Sequence, residues 1–407
     1  MKLFAHAHAT HPDWRMAVAL AAAQIDAQRS DPAGRHIRQP TLGWVYFSDH
    51  YAPQANALLA DLQRRWPGTA WVGSAGVGVA ANGVEYFDEP ALALMLSDLP
   101  VDQFSVFSGA RPLSQAPSGF VPNTAQVHVD ARADGLAELI ADMSNRTATG
   151  YLFGGLASAR TQPLHVADGV FEGGLSGVAF GPQVALVSRV TQGCQPIGPV
   201  RRITRVERNV ATLLDGEPAL DCLLRDLGVS GREPREALPR IRQTLAGLSD
   251  GSDDALSRPG QFGTDTRVRH LAGIDPAKGG VALSDSLEEG MQIAFCRRDT
   301  EAARRDLVRI CSEIREEVEP EHLPIETALA LHGPDAEQAP HPERQIAGAI
   351  YVSCAGRGGP HFGAPSAELA IIRRALGDVP LVGFFAGGEI ARRHLYGYTG
   401  VLTVFPA

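Results

Sequence analysis

The sequence predicts an α/β protein of mixed sheets with antiparallel hairpins, assembled from internally repeated strand-helix-strand-strand units. Three observations predict it. Apolar runs of strand length alternate with stretches of helical periodicity. The order strand, helix, strand, Gly-rich segment, strand recurs three times along the chain. Two Gly-centred pairs, Asn82-Gly83 and Asp168-Gly169, sit between short apolar runs and require antiparallel hairpins, which excludes a purely parallel doubly wound sheet. The 407 residues suit two domains, and the expected division is 1–208 and 209–407.

A helix opens the chain. Asp13 caps it, and Trp14, Val18, Leu20, Ala21 and Ile25 recur at helical spacing. The first copy of the repeat has a strand over 42–47, a helix over 53–65 with Ala55, Leu58, Leu59 and Leu62 on one face, and a strand over 70–72. That strand runs into a Gly-rich turn, Gly73-Ser74-Ala75-Gly76, and a further strand covers 91–96. The second copy has a strand over 125–129, a helix over 136–145, a strand over 151–153 and the turn Gly154-Gly155. Further strands are expected between 175 and 187. The third has a strand over 348–352, a helix over 366–376, a strand over 379–383, the turn at Gly387-Gly388, and a closing strand over 398–405. Between 209 and 345 the pattern is less regular. Helices are expected over 209–227 and 300–317, helix plus loop over 229–257, Gly-rich strands over 261–295, and an exposed loop over 333–343.

Composition excludes several classes of function. The formal net charge is -9 and no Lys/Arg-rich block occurs, so no footprint for nucleic acid is present. No stretch approaches the ~20 apolar residues of a membrane helix, and residues 1–11 lack the apolar segment of a secretory signal. A cytoplasmic protein is expected. The five cysteines, at 194, 222, 296, 311 and 354, fit neither a disulfide framework nor a zinc spacing, and four of them read as buried thiols. His6, His8 and His11 invite a metal reading, but a solvated terminal strand accounts for them, and no metal site is expected.

Candidate ligand contacts come from the Gly-rich turns, where backbone approaches a ligand closely: Ser74, Gly76, Gly154, Gly155, Gly387 and Gly388. None of these turns is a phosphate loop of the GxxxxGK[ST] type. Tight corners with close sheet packing explain them equally. The segment 193–199, with two Pro and two Gly, is a rigid crossover able to present Gln192, Cys194 or Gln195. The segment 353–363 gathers a thiol, a guanidinium and an imidazole on a loop with four glycines. There Arg357 suits a carboxylate or phosphate, and Cys354, near Arg357 and His361, is the candidate reactive thiol if the chain catalyses anything. Glu389, after two glycines, can face the same mouth and recognise an amine or pair with Arg357.

These motifs resemble a known family. Asp13-Trp14, the run 71–76 (WVGSAG), and residues 177–180 and 192–199 resemble the N-terminal FIST domain. Residues 214–219, 353–358 (SCAGRG), 382–389 (VGFFAGGE) and 398–400 resemble the C-terminal FIST domain. The resemblance covers nearly the whole chain and implies a sensory module that binds small ligands, with amino acids suggested and haem associated with part of the family. In the family the module accompanies signalling partners in bacteria and an F-box in eukaryotes. No F-box, kinase, cyclase or DNA-binding segment is visible here, so the expected partners are a small-molecule ligand and a separate signalling protein. Four functions stay open: a small-ligand sensor with Arg357 and Glu389 anchoring a zwitterion, a haemoprotein using His361 or Cys354, a cysteine-dependent enzyme, and an interaction scaffold. Binding rather than catalysis is the leading expectation.

Overall fold

A computed structural model describes residues 3–32, 34–117, 119–229, 234–250, 266–319 and 346–407. The exposed loop expected over 333–343 lies outside these residues, as do residues 251–265. The chain forms two compact units. The larger takes Met1–Thr191, Arg304–Leu395 and Thr399–Ala407, and the smaller takes Gln192–Ala303 and Tyr396–Tyr398. These units cut across chain order, so they differ from a division at 208/209. The rigid crossover segment begins where the chain passes from one unit to the other, at Gln192.

In the larger unit the three copies become three six-stranded sheets of one design. Each copy supplies two parallel central strands joined by a helix. In the first copy these are Leu42–Ser48 and Ala70–Gly76, joined through Ala55–Arg65. In the second they are Thr124–Asp130 and Tyr151–Ala157, joined through Leu136–Asn145. In the third they are Ile346–Cys354 and Leu381–Ala386, joined through Ala367–Leu376. The last strand of each copy (Ala91–Ser97, Leu175–Phe180 and Gly400–Pro406) pairs antiparallel with the first central strand. An outer strand pairs beyond each last strand: Ala5–Thr10, Phe104–Phe107 and Val187–Thr191.

The remaining two positions of each sheet are filled by exchange, by a crossing strand and its hairpin partner. The strand following each second central strand crosses to another copy's sheet. Gly78–Ala81, from the first copy, pairs with Leu381–Ala386 of the third. His165–Ala167, from the second, pairs with Ala70–Gly76 of the first. Glu389–Arg392, from the third, pairs with Tyr151–Ala157 of the second. The three copies thus close a ring in which each covers an edge of another, and edge strands are shielded from adventitious pairing.

That ring corrects the expectation of Gly-rich turns. Gly73-Ser74-Ala75-Gly76 and Gly154-Gly155 lie inside strands. The glycines are there because of close approach. Gly73, Gly154 and Gly383 face Val45, Val127 and Tyr351 in register. A Cβ at any of the three falls 1.7–1.9 Å from the facing carbonyl oxygen, so no other residue fits. Of the three expected turns, Gly387-Gly388 is the one that lies between strands.

The first helix spans Trp14–Arg29, and Asp13 Oδ1 accepts the Arg15 amide at 2.9 Å. Trp14, Val18, Ala21 and Ile25 are buried as expected, whereas Leu20 is on the outer face. The centre of the unit holds a polar chain among aromatics: Trp44 Nε1 donates to Gln126 Oε1 (2.7 Å), Gln126 Nε2 to Tyr46 OH (2.6 Å), and Tyr46 OH meets His128 Nε2 (3.2 Å). Burial pushes the His128 imidazole down to about 3, and it packs neutral against the Phe384 ring.

The smaller unit is antiparallel throughout. Strands Arg201–Glu207, Val210–Leu214, Gly280–Leu283, Arg267–Asp275, Leu245–Ser249 and Gln292–Arg298 pair in that order, and the last pairs back to the first, which closes a six-stranded barrel. Its interior is filled by Ile203, Leu214, Leu223, Leu248, Val281, Ile293 and Phe295. The helix expected over 209–227 is therefore shorter. Residues Val210–Leu214 alternate as a strand, Asp215 and Gly216 turn at φ 50° and 84°, and the helix is Ala219–Asp226.

Candidate functional site

The ring makes the three copies comparable residue by residue. One step along from the close-packed glycine, the exchanged strand carries Val79, His165 or Glu389, facing Phe384, Ser74 and Gly155 respectively. The first central strand ends in Ser48, Asp130 or Cys354. The first copy is mostly apolar at this pair of positions. The second and third place two chemistry-bearing groups together.

In the second copy the groups are saturated. His165 Nδ1 meets Ser176 Oγ at 2.6 Å, and its Nε2 meets the Gly173 carbonyl at 3.0 Å. Asp130 accepts from the Arg132 amide (2.8 Å), from Arg132 Nη2 (3.0 Å) and from the Gly173 amide (2.9 Å). Ser74 pairs with His165 in register and is fully buried, so it belongs to this cluster.

In the third copy the groups are not saturated. Glu389 is 0 % exposed. Its Oε2 accepts from the Thr399 amide at 3.1 Å and from Thr399 Oγ1 at 2.6 Å, while Oε1 has no hydrogen-bond partner. Burial is the largest influence on this carboxyl and raises it to about 8, against the lowering effects of Thr399, Arg357 and Cys354. The Cys354 thiol is among these lowering influences, as a side-chain hydrogen-bond partner of the carboxyl. Cys354 itself is half-buried, and Gly356 and Gly387 beside it in sequence and turn are exposed.

Arg357 lies in the same cluster, but its partner is internal. Its guanidinium is 1 % exposed and donates through Nε (2.9 Å) and Nη2 (2.7 Å) to Glu368 Oε1. Tyr351 OH (2.5 Å) and Ser353 Oγ (2.9 Å) also donate to Glu368. Burial pulls the Arg357 guanidinium down, and Glu368 more than offsets it, so the group is held charged. Its plane lies 5.1 Å over the Phe362 ring. Glu368 and Thr399 escaped sequence reasoning because each is an ordinary residue of a helix or strand start. The signal for Glu368 was its place on the otherwise apolar face of the helix Ala367–Leu376.

The loop that carries Cys354 and Arg357 is pinned from another copy. Glu85 Oε1, from the hairpin strand Val84–Phe87, accepts the amides of Gly359 (3.1 Å) and Ser366 (2.9 Å). Burial raises its carboxyl, and those two amides partly offset the rise. His361 follows on the same loop in the short turn Gly359–Phe362, half-buried, with its ring edge-on to Phe362.

The remaining predicted contacts divide. Gly155 faces Glu389, and Gly387-Gly388 immediately precede it; a Cβ on Gly155 falls 2.8–2.9 Å from Ala386, Val352 and Gly388, so its absence admits the exchanged strand. Gly76 sits 3.0–3.2 Å from backbone oxygens by the same measure and serves packing. Two clefts, of about 640 and 510 Å³, belong to the smaller unit and hold none of Cys354, Arg357, His361 or Glu389. No group of three or more His, Cys, Asp or Glu among the described residues is arranged for a metal ion. His6 and His8 lie on the outer strand Ala5–Thr10, where Gln28 and Gln24 hold their backbone. No helix among the described residues is long and apolar enough to cross a membrane.

Comparison with known proteins finds two family domains in order along the chain. The FIST N domain matches residues 41–217 and the FIST C domain matches residues 219–392. An uncharacterized protein of Mycobacterium tuberculosis is 30% identical, with 97% of each chain covered. A further uncharacterized protein, of Mycobacterium bovis, is 29% identical over the same shares. With both domain models in order and a full-length relative at that identity, the chain belongs to the FIST domain family.

Proposed function

We propose that this chain is a small-ligand-binding sensory protein whose ligand presents an amine to Glu389. FIST domains are sensory and signalling modules, and the family supplies that class. The observation that carries the site is Glu389, a fully buried carboxylate whose Oε1 closes no hydrogen bond of normal length and which lies near the half-buried Cys354. Buried polar atoms in folded proteins are satisfied, and an exception marks a place where a ligand or water completes the set. An ammonium group satisfies Oε1 and ionises the carboxyl at once. The zwitterion anchor expected from sequence changes accordingly: Arg357 is committed to Glu368, so the ligand's carboxylate is not the handle. Five free cysteines suit a reducing compartment, and the output partner is a separate signalling protein.

Titration calorimetry of the full chain with amino acids, their carboxamides and their N-acetyl forms tests this reading. Amino acids and carboxamides bind, N-acetyl forms do not, and Glu389→Gln loses binding at least tenfold. Equal binding of the N-acetyl forms, or wild-type affinity in Glu389→Gln, contradicts it.

A further inference from the structure

The two clefts of the smaller unit carry opposite charge. The cleft of about 640 Å³ is lined by Asp215, Asp250, Glu288 and Glu289 against Arg201 and Arg202. The cleft of about 510 Å³ is lined by Arg240 and Arg297, with Asp226 as the one carboxylate among its described residues. That carboxylate is already neutralised. Arg201 Nη1 and Nη2 donate to its two oxygens at 2.6 and 2.7 Å, and both side chains of the pair are buried. Gly198 makes room for Asp226, because a Cβ there would fall 2.1 Å from Oδ2. The second cleft therefore keeps two positive charges that no carboxylate answers.

The sequence around the cleft explains why these groups share it. The strand Cys194–Pro196, part of the rigid crossover segment, pairs antiparallel with Gln292–Arg298, and Gln195 stands directly opposite Arg297. Cys194 and Cys296, the residues before each, pack with Leu245 and Val268 in an apolar cluster. Strand alternation then turns Gln195 and Arg297 together toward the cleft. The helix Pro234–Gln243 supplies Arg240 and Gln243 at a spacing of three, on one face. Arg240 Nη1 donates to the Leu227 carbonyl at 3.3 Å, and Thr244 Oγ1 donates to the Arg240 carbonyl at 2.7 Å. Among the described residues neither arginine has a carboxylate partner, and the side-chain amides of Gln195 and Gln243 have no hydrogen-bond partner.

We propose that this cleft binds a small organic dianion, a phosphate monoester or a dicarboxylate. Two guanidiniums match two negative charges, and each offers N–H donors in the fork geometry that phosphate and carboxylate oxygens accept. Gln195 and Gln243 add neutral donors. Pro196, Ile197 and Leu227 give the cleft an apolar surface for the ligand's carbon body. A volume of about 510 Å³ suits a small molecule. The acidic cleft of the same unit disfavours the same ligand and supplies the control. The inference rests on the smaller unit alone and is independent of the amine reading at Glu389.

Calorimetric titration of the full chain with phenyl phosphate, isophthalate and neutral benzyl alcohol tests the site. Saturable binding of at least one dianion, about tenfold or more tighter than benzyl alcohol, is expected. The tighter of the two dianions identifies the head group. Both arginines are exposed, so their replacement leaves the fold intact. Arg240→Gln and Arg297→Gln are each expected to weaken dianion binding by about fivefold or more. Glu288→Gln with Glu289→Gln, in the acidic cleft, leaves it within about twofold. Three results overturn the proposal: no saturable binding of either dianion, benzyl alcohol binding as tightly, or wild-type affinity in the Arg240→Gln, Arg297→Gln double variant. The Glu389→Gln chain is expected to bind the dianion as wild type does, so this site and the amine site fail separately.

Discussion

The second and third copies build the same pair of positions from different chemistry, and the difference separates structure from function. In the second copy, Asp130, His165 and Ser176 close on one another and on backbone, so both imidazole nitrogens are satisfied. In the third copy, Glu389 closes on Thr399 with one oxygen and leaves the other bare, while Cys354 opens toward solvent. The fold tolerates the second arrangement because it is internally complete. Beside the third, Arg357, Tyr351 and Ser353 all close on Glu368 as a polar frame, and the Arg357 charge acts on Glu389. A frame that is saturated with one member left unsatisfied is the arrangement expected where binding competes with stability.

The comparison breaks most severely if the frame is cut. Glu368→Ala leaves Arg357 charged and buried without its carboxylate, and a loss of about 3–5 kcal/mol in urea unfolding is expected. Replacing the pair together, Arg357→Met with Glu368→Leu, recovers most of that loss, which separates the cost of an orphan charge from any value of the pair. A milder loss is expected in the second copy. His165→Ala strands Ser176 and the Gly173 carbonyl, at about 2–4 kcal/mol. The effect has a sign in pH. Burial holds the His165 imidazole below its ordinary value, so its contribution is present above about pH 6.5 and is lost as pH falls through the lower folded value. Ser48→Ala removes the acceptor for the Ala91 amide and costs about 1 kcal/mol. Cys354→Ser is expected to change stability by less than about 1 kcal/mol. If Cys354→Ser costs as much as His165→Ala, the third copy is structural in the same sense as the second.

Much of the fold was legible in the sequence. The three copies, the helices within them and the hairpin turns at Asn82-Gly83 and Asp168-Gly169 follow from periodicity and turn chemistry, which are local properties. The exchange of strands between copies was not legible, because Gly78–Ala81 carries no mark of which strand it will meet. For the same reason the glycines looked like turns: crowding by Val45 and Val127 is a property of the partner strand, not of Gly73 or Gly154. At the site, Cys354, Arg357 and Glu389 were legible as a cluster of chemistry near Gly-rich segments. Their roles were not, because the sequence does not show that Arg357 meets Glu368, eleven residues on across a loop, or that Glu85 from the first copy pins that loop. The barrel strand Val210–Leu214 was read as helix because its apolar residues suit either period until Asp215 and Gly216 are seen to turn.

The central claim is that Glu389 is held in the core at a cost to stability, and one measurement tests it directly: urea unfolding of wild type and Glu389→Gln from pH 5 to pH 8.5. Burial raises the folded carboxyl to about 8, well above its ordinary value of 4.5, so the unfolded state ionises first as pH rises. Stability from the neutral carboxyl is therefore complete below about pH 4.5 and drains away as pH climbs through 8, at up to about 1.4 kcal/mol per pH unit. Glu389→Gln lacks that titration, so it should gain on wild type steadily across the range and be at least as stable at pH 8.5. A variant that is less stable than wild type by a constant 2 kcal/mol or so at every pH would show instead that Glu389 is a satisfied structural acceptor, and the third copy would join the second.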